Sequence, residues 1–196
     1  MKSIYNFVVT PKGERYNNKK KVGDSELILN TEIFNHQYVN KEAIVISTPI
    51  VGQTDIKAGD TVIVHHNIFR RWHNIRGEEK NSKSFFNEST YFINQDQIFL
   101  YKRNNGWKAP KGYCFIKPLK ATNPLNIDLE KPLQGIIKYS DGTVKVGDLI
   151  GYRPKTQVEF IVDGERLYRV LSNLITIKYE YQGDEEEYNP SWAKSS

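Results

Sequence analysis

The ten residues "DIKAGDTVIV", Asp55 to Val64, return as "TVKVGDLIGY", Thr143 to Tyr152. Each copy is a short apolar approach, a Gly-Asp turn and a second apolar run. The flanks repeat as well. "YNFVVTP" starts at Tyr5, and "YCFIKPL" starts 108 residues later at Tyr113. "EAIVIS" from Glu42 matches "QGIIKY" from Gln134 at an offset of 92, and Gly59 and Gly147 of the two turns stand 88 apart. "YFINQDQIFLYK" from Tyr91 matches "YRVLSNLITIKY" from Tyr168 at an offset of 77. Four elements keep their order, and the offset falls only where loops can absorb it. A whole small domain therefore occurs twice, as repeat one over 1–103 and repeat two over 104–181. The fall from 108 to 92 makes repeat one longer by 16 residues after its first strand. The fall from 88 to 77 makes it longer by 11 after the Gly-Asp strand.

Strand signals dominate, with no sustained helical period, so the expected fold class is all-β. The alternation in "VVTP" and "IVIS" gives one inward face at period two. Asp141-Gly142 and Asp163-Gly164 are hairpin dipeptides, and the Gly-Asp glycines are expected to turn the chain at a barrel corner. Several short strands joined by turns predict a small, partly closed barrel in each repeat. "KRNNGWKAPKG", Lys102 to Gly112, reads as the link between them.

Composition narrows the partners. Hydrophobic residues make up 38% and aromatics 12%, enough for packed cores despite a mean hydropathy of −0.60. No run approaches the ~20 apolar residues of a membrane span, and the N-terminus lacks the apolar core of a secretory signal. Cys114 is the only cysteine, which rules out an internal disulfide or a cysteine-based zinc cluster and points to a reducing compartment. The expected setting is the cytoplasm, with no membrane partner. Residues 1–120 hold 19 Lys/Arg against 11 Asp/Glu, and residues 121–196 hold 9 against 12. The second part includes "GDEEEYNP", read as a disordered acidic tail over 182–196.

In its element order the chain resembles the GroES-type co-chaperonins, written as two tandem copies. The residues carrying the resemblance are "VKVGDLIGY", Val144 to Tyr152, the looser "IKAGDTVIV", and the paired endings "YFINQDQIFLY" and "RLYRVLSNLITIKY". The resemblance covers most of residues 4–181. It implies two small GroES-like β-barrels and a non-enzymatic lid that caps a GroEL-type chaperonin ring and encloses folding client proteins. It also implies a homo-oligomeric ring, with no cofactor of its own and ATP bound by the partner. The family places a long loop after the first strand, carrying an apolar tripeptide that docks on the chaperonin. Repeat one has a polar excursion over 12–41, and within it Leu27-Ile28-Leu29 stands as an apolar triplet. In repeat two the counterpart is shorter, with scattered Leu125, Ile127 and Leu129. The segments before the two Gly-Asp phrases are short, which implies a wide dome similar to bacteriophage co-chaperonins that admit capsid protein.

Other readings stand beside this one. "ELILNTEIF" also fits an ordinary barrel strand whose Leu27 and Leu29 face a core. The 65–88 insertion contains "HHNIFRRWHNIRG", in which Arg70, Arg71 and Arg76 around Trp72 form a candidate nucleic-acid or protein contact. The plainer reading is a surface loop solvated by its charges and anchored by Trp72. His65, His66 and His73 have no partner at a recognised metal-site spacing, so no metal is expected. No Ser-His-Asp order, phosphate loop or paired-carboxylate motif is present, and Cys114 reads as buried within a strand. The rivals to the lid are a viral structural or assembly protein reusing the barrel pair, and a nucleic-acid-binding small barrel.

Overall fold

The structure is a computed structural model that describes residues 2–28, 35, 38–104, 106–122, 129–181 and 183–195. The chain is all-β, without a helix of seven or more residues among those described. It divides into two compact units, Met1–Trp107 and Lys108–Ser196. The division falls inside the expected link, four residues later than the sequence boundary at 103. The difference arises because part of that link is strand at the edge of the first sheet.

Unit one runs β1 (Phe7–Pro11), β2 (Lys19–Val22), β3 (Ser25–Ile28), β4 (Glu42–Ser47), β5 (Thr61–Val64), β6 (Arg71–His73), β7 (Glu79–Asn81), β8 (Phe85–Asn87), β9 (Thr90–Ile93), β10 (Ile98–Arg103) and β11 (Gly106–Lys108). Its main sheet has the order β11-β10-β5-β4-β1-β9-β8, while β2-β3 and β6-β7 are separate hairpins. Unit two runs β12 (Tyr113–Lys120), β13 (Glu130–Tyr139), β14 (Leu149–Tyr152), β15 (Val158–Val162), β16 (Glu165–Leu171) and β17 (Ile175–Lys178), in the order β15-β16-β12-β13-β14-β17. The order β10-β5-β4-β1-β9 is thus repeated by β17-β14-β13-β12-β16. Both sheets are linear in their hydrogen bonding among the described residues, so no ladder closes either into a barrel.

The repeat holds at the level of register. Val9 pairs with Val45 and Tyr91; Ile116 pairs with Ile137 and Tyr168. Val62 pairs with Ala43 and Tyr101; Ile150 pairs with Gly135 and Lys178. The offsets 92, 88 and 77 are those of the sequence repeat. The first offset is 107 rather than 108, because Val9 stands where Ile116 does. The apolar look of Phe7 against Phe115 misleads here. A one-residue slip moves every side chain to the other face, and Phe7 and Val9 share the unit-one core as Cys114 and Ile116 share that of unit two. Phe115 instead packs edge-on against Tyr139 and Phe160. At 107, Pro11 and Pro118 also fall into register.

The Gly-Asp turns share their main-chain hydrogen bonds. Val45 donates its N–H to the Asp60 carbonyl at 2.9 Å, and Ile137 to that of Asp148 at 3.0 Å. Gly59 and Gly147 both sit at φ +90°, a conformation glycine adopts without penalty.

The acidic segment expected as a disordered tail packs on unit two from 183 to 195. Lys131, Lys120 and Lys117 pair with Glu185, Glu186 and Glu187 at 2.5, 2.9 and 2.6 Å. Leu119 and Glu187 form a bridge, and Ala193 in the final turn is buried. Its charges are matched by a lysine edge that composition alone does not locate. No helix among the described residues is long and apolar enough to cross a membrane.

Candidate protein-docking site

The excursion after β1 has a packed base and an exposed arm. At the base, Lys12 donates its N–H to the Glu42 carbonyl at 3.0 Å, and its ammonium meets the Glu42 carboxylate at 2.6 Å. Asn40, 2% exposed, donates to the carbonyls of Lys12 and Glu14 at 3.0 and 2.8 Å. Tyr16 and Val39, both buried, form an isolated bridge between the outgoing and returning segments. Buried polar groups so satisfied fix the chain where it leaves the sheet.

Beyond the base, β2 and β3 pair through Lys19–Ile28, Lys20–Leu27, Lys21–Glu26 and Val22–Ser25. Gly23-Asp24 is a two-residue turn with glycine first at φ +60°, the arrangement whose twist suits a hairpin. Leu27 and Ile28 are 55% and 57% exposed, so neither faces a core, and the strand they form belongs to neither main sheet. Leu29 lies outside the described residues. Side chains alternate along a strand, so Leu27 and Ile28 leave β3 on opposite faces. Leu27 shares its face with Val22, 57% exposed, and Ile28 takes the other. Sequence reasoning missed Val22. Its signal was present in Gly23-Asp24, set between two four-residue runs in the same way as the repeated phrase.

Lys19, at the root of the arm, is bonded to Glu14 at 3.1 Å and lies 3.7 Å from Glu26. The Glu14 hydrogen bond, then the two carboxylate charges, raise its pKa above the ordinary lysine value. In unit two, Leu129 is 55% exposed, while Leu125 and Ile127 lie outside the described residues.

The arginine constellation is not gathered. Arg71 and Trp72 are neighbours on β6 and leave on opposite faces, Trp72 beside Lys80 and Arg71 beside Asn81. Arg71 bonds Glu79 at 3.1 Å, and its guanidinium lies 5.1 Å from the centre of the Tyr16 ring. Burial opposes its charge, but the Glu79 carboxylate and the Tyr16 hydroxyl outweigh burial and raise its pKa. Arg70 is half-buried, and Arg76 lies at the turn of the β6–β7 hairpin, where its N–H donates to Asn74 Oδ1 at 2.9 Å. The anchors of this insertion are Ile68 and Phe69, 1% and 0% exposed, rather than Trp72 at 38%. Hydrophobic burial, not ring size, decides which residue holds the loop.

His65 and His66 stack at 4.4 Å, and burial lowers the His65 pKa. Among the described residues no group of three or more His, Cys, Asp or Glu is placed to hold a metal. Cys114 is buried, with its sulfur 3.5 Å from Ser172 Oγ. Comparison with protein-family models and with curated proteins finds no match to the chain.

Proposed function

We propose that the chain is a co-chaperonin of the GroES type, built of two tandem barrel-like units, that caps a GroEL-type chaperonin ring during its ATP cycle. The observation that carries this reading is the exposed β2–β3 arm standing on a packed base, at the point in unit one where that family carries its docking loop. The register-by-register repeat supports the two-unit description. The nucleic-acid rival is disfavoured because Arg71 and Trp72 diverge, and the structural rival because Leu27 and Ile28 are not buried. The chain binds no nucleotide and performs no catalysis in this reading; several copies form the cap, and folding clients, capsid protein among them, occupy the enclosed space.

Docking works through weak contacts in parallel. Each buried Leu, Ile or Val contributes roughly 1.5–3 kcal/mol. One arm therefore binds weakly, and a ring of arms binds strongly through effective concentration. Such a lid comes off when the partner changes state. The test is capture by a GroEL-type ring with and without ATP. The natural chain is expected to be captured only with nucleotide, and a Leu27→Ser, Ile28→Ser, Leu29→Ser variant not at all. Equal capture of both would remove the arm from the contact, and capture of neither by the chaperonins of several bacteria would remove the lid reading.

A further inference from the structure

We infer that the 65–88 insertion is the buttress of the arm, with Arg15 as the pin that joins them. The purpose of the buttress rests on the docking reading; its geometry does not. Arg15 is only 9% exposed and stands four residues before β2. Its Nε and Nη2 donate to the Phe69 carbonyl at 3.3 and 3.1 Å. Nη2 also donates to Asn81 Oδ1 at 2.8 Å, and Nη1 to Glu88 Oε2 at 3.3 Å. Every one of these acceptors belongs to the insertion. The same guanidinium lies over the rings of Phe85 and Tyr91, at 5.3 and 5.5 Å. A planar fork with five donors suits this many-sided contact, and an ammonium does not.

A second tie runs in the opposite direction. Arg71 of β6 donates its backbone N–H to Tyr16 Oη at 2.8 Å. Tyr16, Ile68 and Phe69 share the unit-one core, so clamp and core are continuous. Only Asn17 and Asn18 lie between Tyr16 and the first residue of the arm. The direction of the arm is thereby set by contacts to the insertion. In unit two the third strand is followed after 153–157 by β15, and no such hairpin intervenes. The arm and the insertion occur in the same unit because one holds the other.

The clamp bears on affinity. Ordering a free segment costs about 1–2 kcal/mol per residue in backbone freedom. A hairpin already paired and held at its root leaves less of that cost to be met on docking. Arg15, Tyr16 and Asn81 are positioning residues in this account, since none reaches the arm's apolar face.

The deciding experiment is backbone NMR relaxation on the full chain without any chaperonin, comparing the natural protein with Arg15→Met and with the milder Tyr16→Phe. Order parameters for 19–22 and 25–28 are expected to drop from the rigid value of about 0.85 to below about 0.6 in Arg15→Met. Tyr16→Phe is expected to give a smaller drop in the same residues, with β1, β4 and β5 unchanged in both variants. Unchanged arm values in both variants overturn the inference. A loss spread evenly over β1, β4 and β5 in both also overturns it, because the pair would then be general core contacts. Since no partner is in the sample, this outcome is separate from ring capture, which fails alone if only the docking reading is wrong.

Discussion

Asp60 and Asp148 hold the same position in the two units, yet their surroundings differ in strength. Asp60 is 5% exposed and receives Arg103 through two bonds, Nε to Oδ1 at 3.0 Å and Nη2 to Oδ2 at 2.7 Å. The Lys57 N–H adds a third at 2.8 Å. Burial pushes the Asp60 pKa up, but the Arg103 and Lys57 contacts outweigh burial and hold it below 3.8. Among the described residues, the Asp148 carboxylate meets the exposed ammonium of Lys178, at 2.8 Å. A lowered carboxylate pKa contributes stability that is present above the unfolded value and lost as pH falls through the folded one. Asp60→Asn is therefore expected to destabilise unit one by roughly 1–3 kcal/mol at neutral pH, given its charged, buried bonds. The gap to the natural protein should begin to narrow as pH falls below about 3.8 and close as it passes the lower folded value. Thermal melts from about pH 7 down to about pH 2.5 check this; a gap that stays constant with pH would contradict the charge account.

At the scale of elements, much of the fold was legible because β pairing is register-specific. Three of the four offsets transfer to strand pairs without change. The fourth was one residue out, since aromatic likeness at Phe7 and Phe115 says nothing about which face a strand presents. Side-chain alternation likewise sends Leu27 and Ile28 to opposite faces of β3, and burial of Arg15 was invisible because its acceptors lie more than 50 residues along the chain. Two predictions belong here. Gly135, paired with Pro118, leaves no room for a Cβ, which would collide with Ile116 Cγ2 and the Lys117 carbonyl oxygen. Gly135→Ala should cost about 1–3 kcal/mol or more in unit two, read by its unfolding transition; a neutral effect would refute the close approach. On the arm, Leu27→Ser and Val22→Ser should each weaken ring capture about tenfold, a loss of about 1.4 kcal/mol apiece. Equal weakening by Ile28→Ser and none by Val22→Ser would assign the contact to the other face.

For the whole molecule, the two units share one strand order but not one set of attachments. Unit one carries the arm and the insertion, while unit two carries a C-terminal segment laid along its lysines. Each unit has its own core, around Val9, Tyr91 and Ile98 in one and around Ile116, Ile150 and Val170 in the other. Residues 1–107 and 108–196, expressed separately, should each give β-type circular dichroism and a cooperative melt; failure of either would show that its core is incomplete alone. The C-terminal segment escaped the sequence reading because an acidic run looks solvated until the basic edge it meets is known. The most direct measurement is electron microscopy of GroEL-type rings mixed with this chain, with ATP and without it. The account predicts dome-shaped density closing ring ends only with ATP, contacting the ring through the arm of unit one. Bare rings in both samples, with the chain folded and in excess, would contradict it.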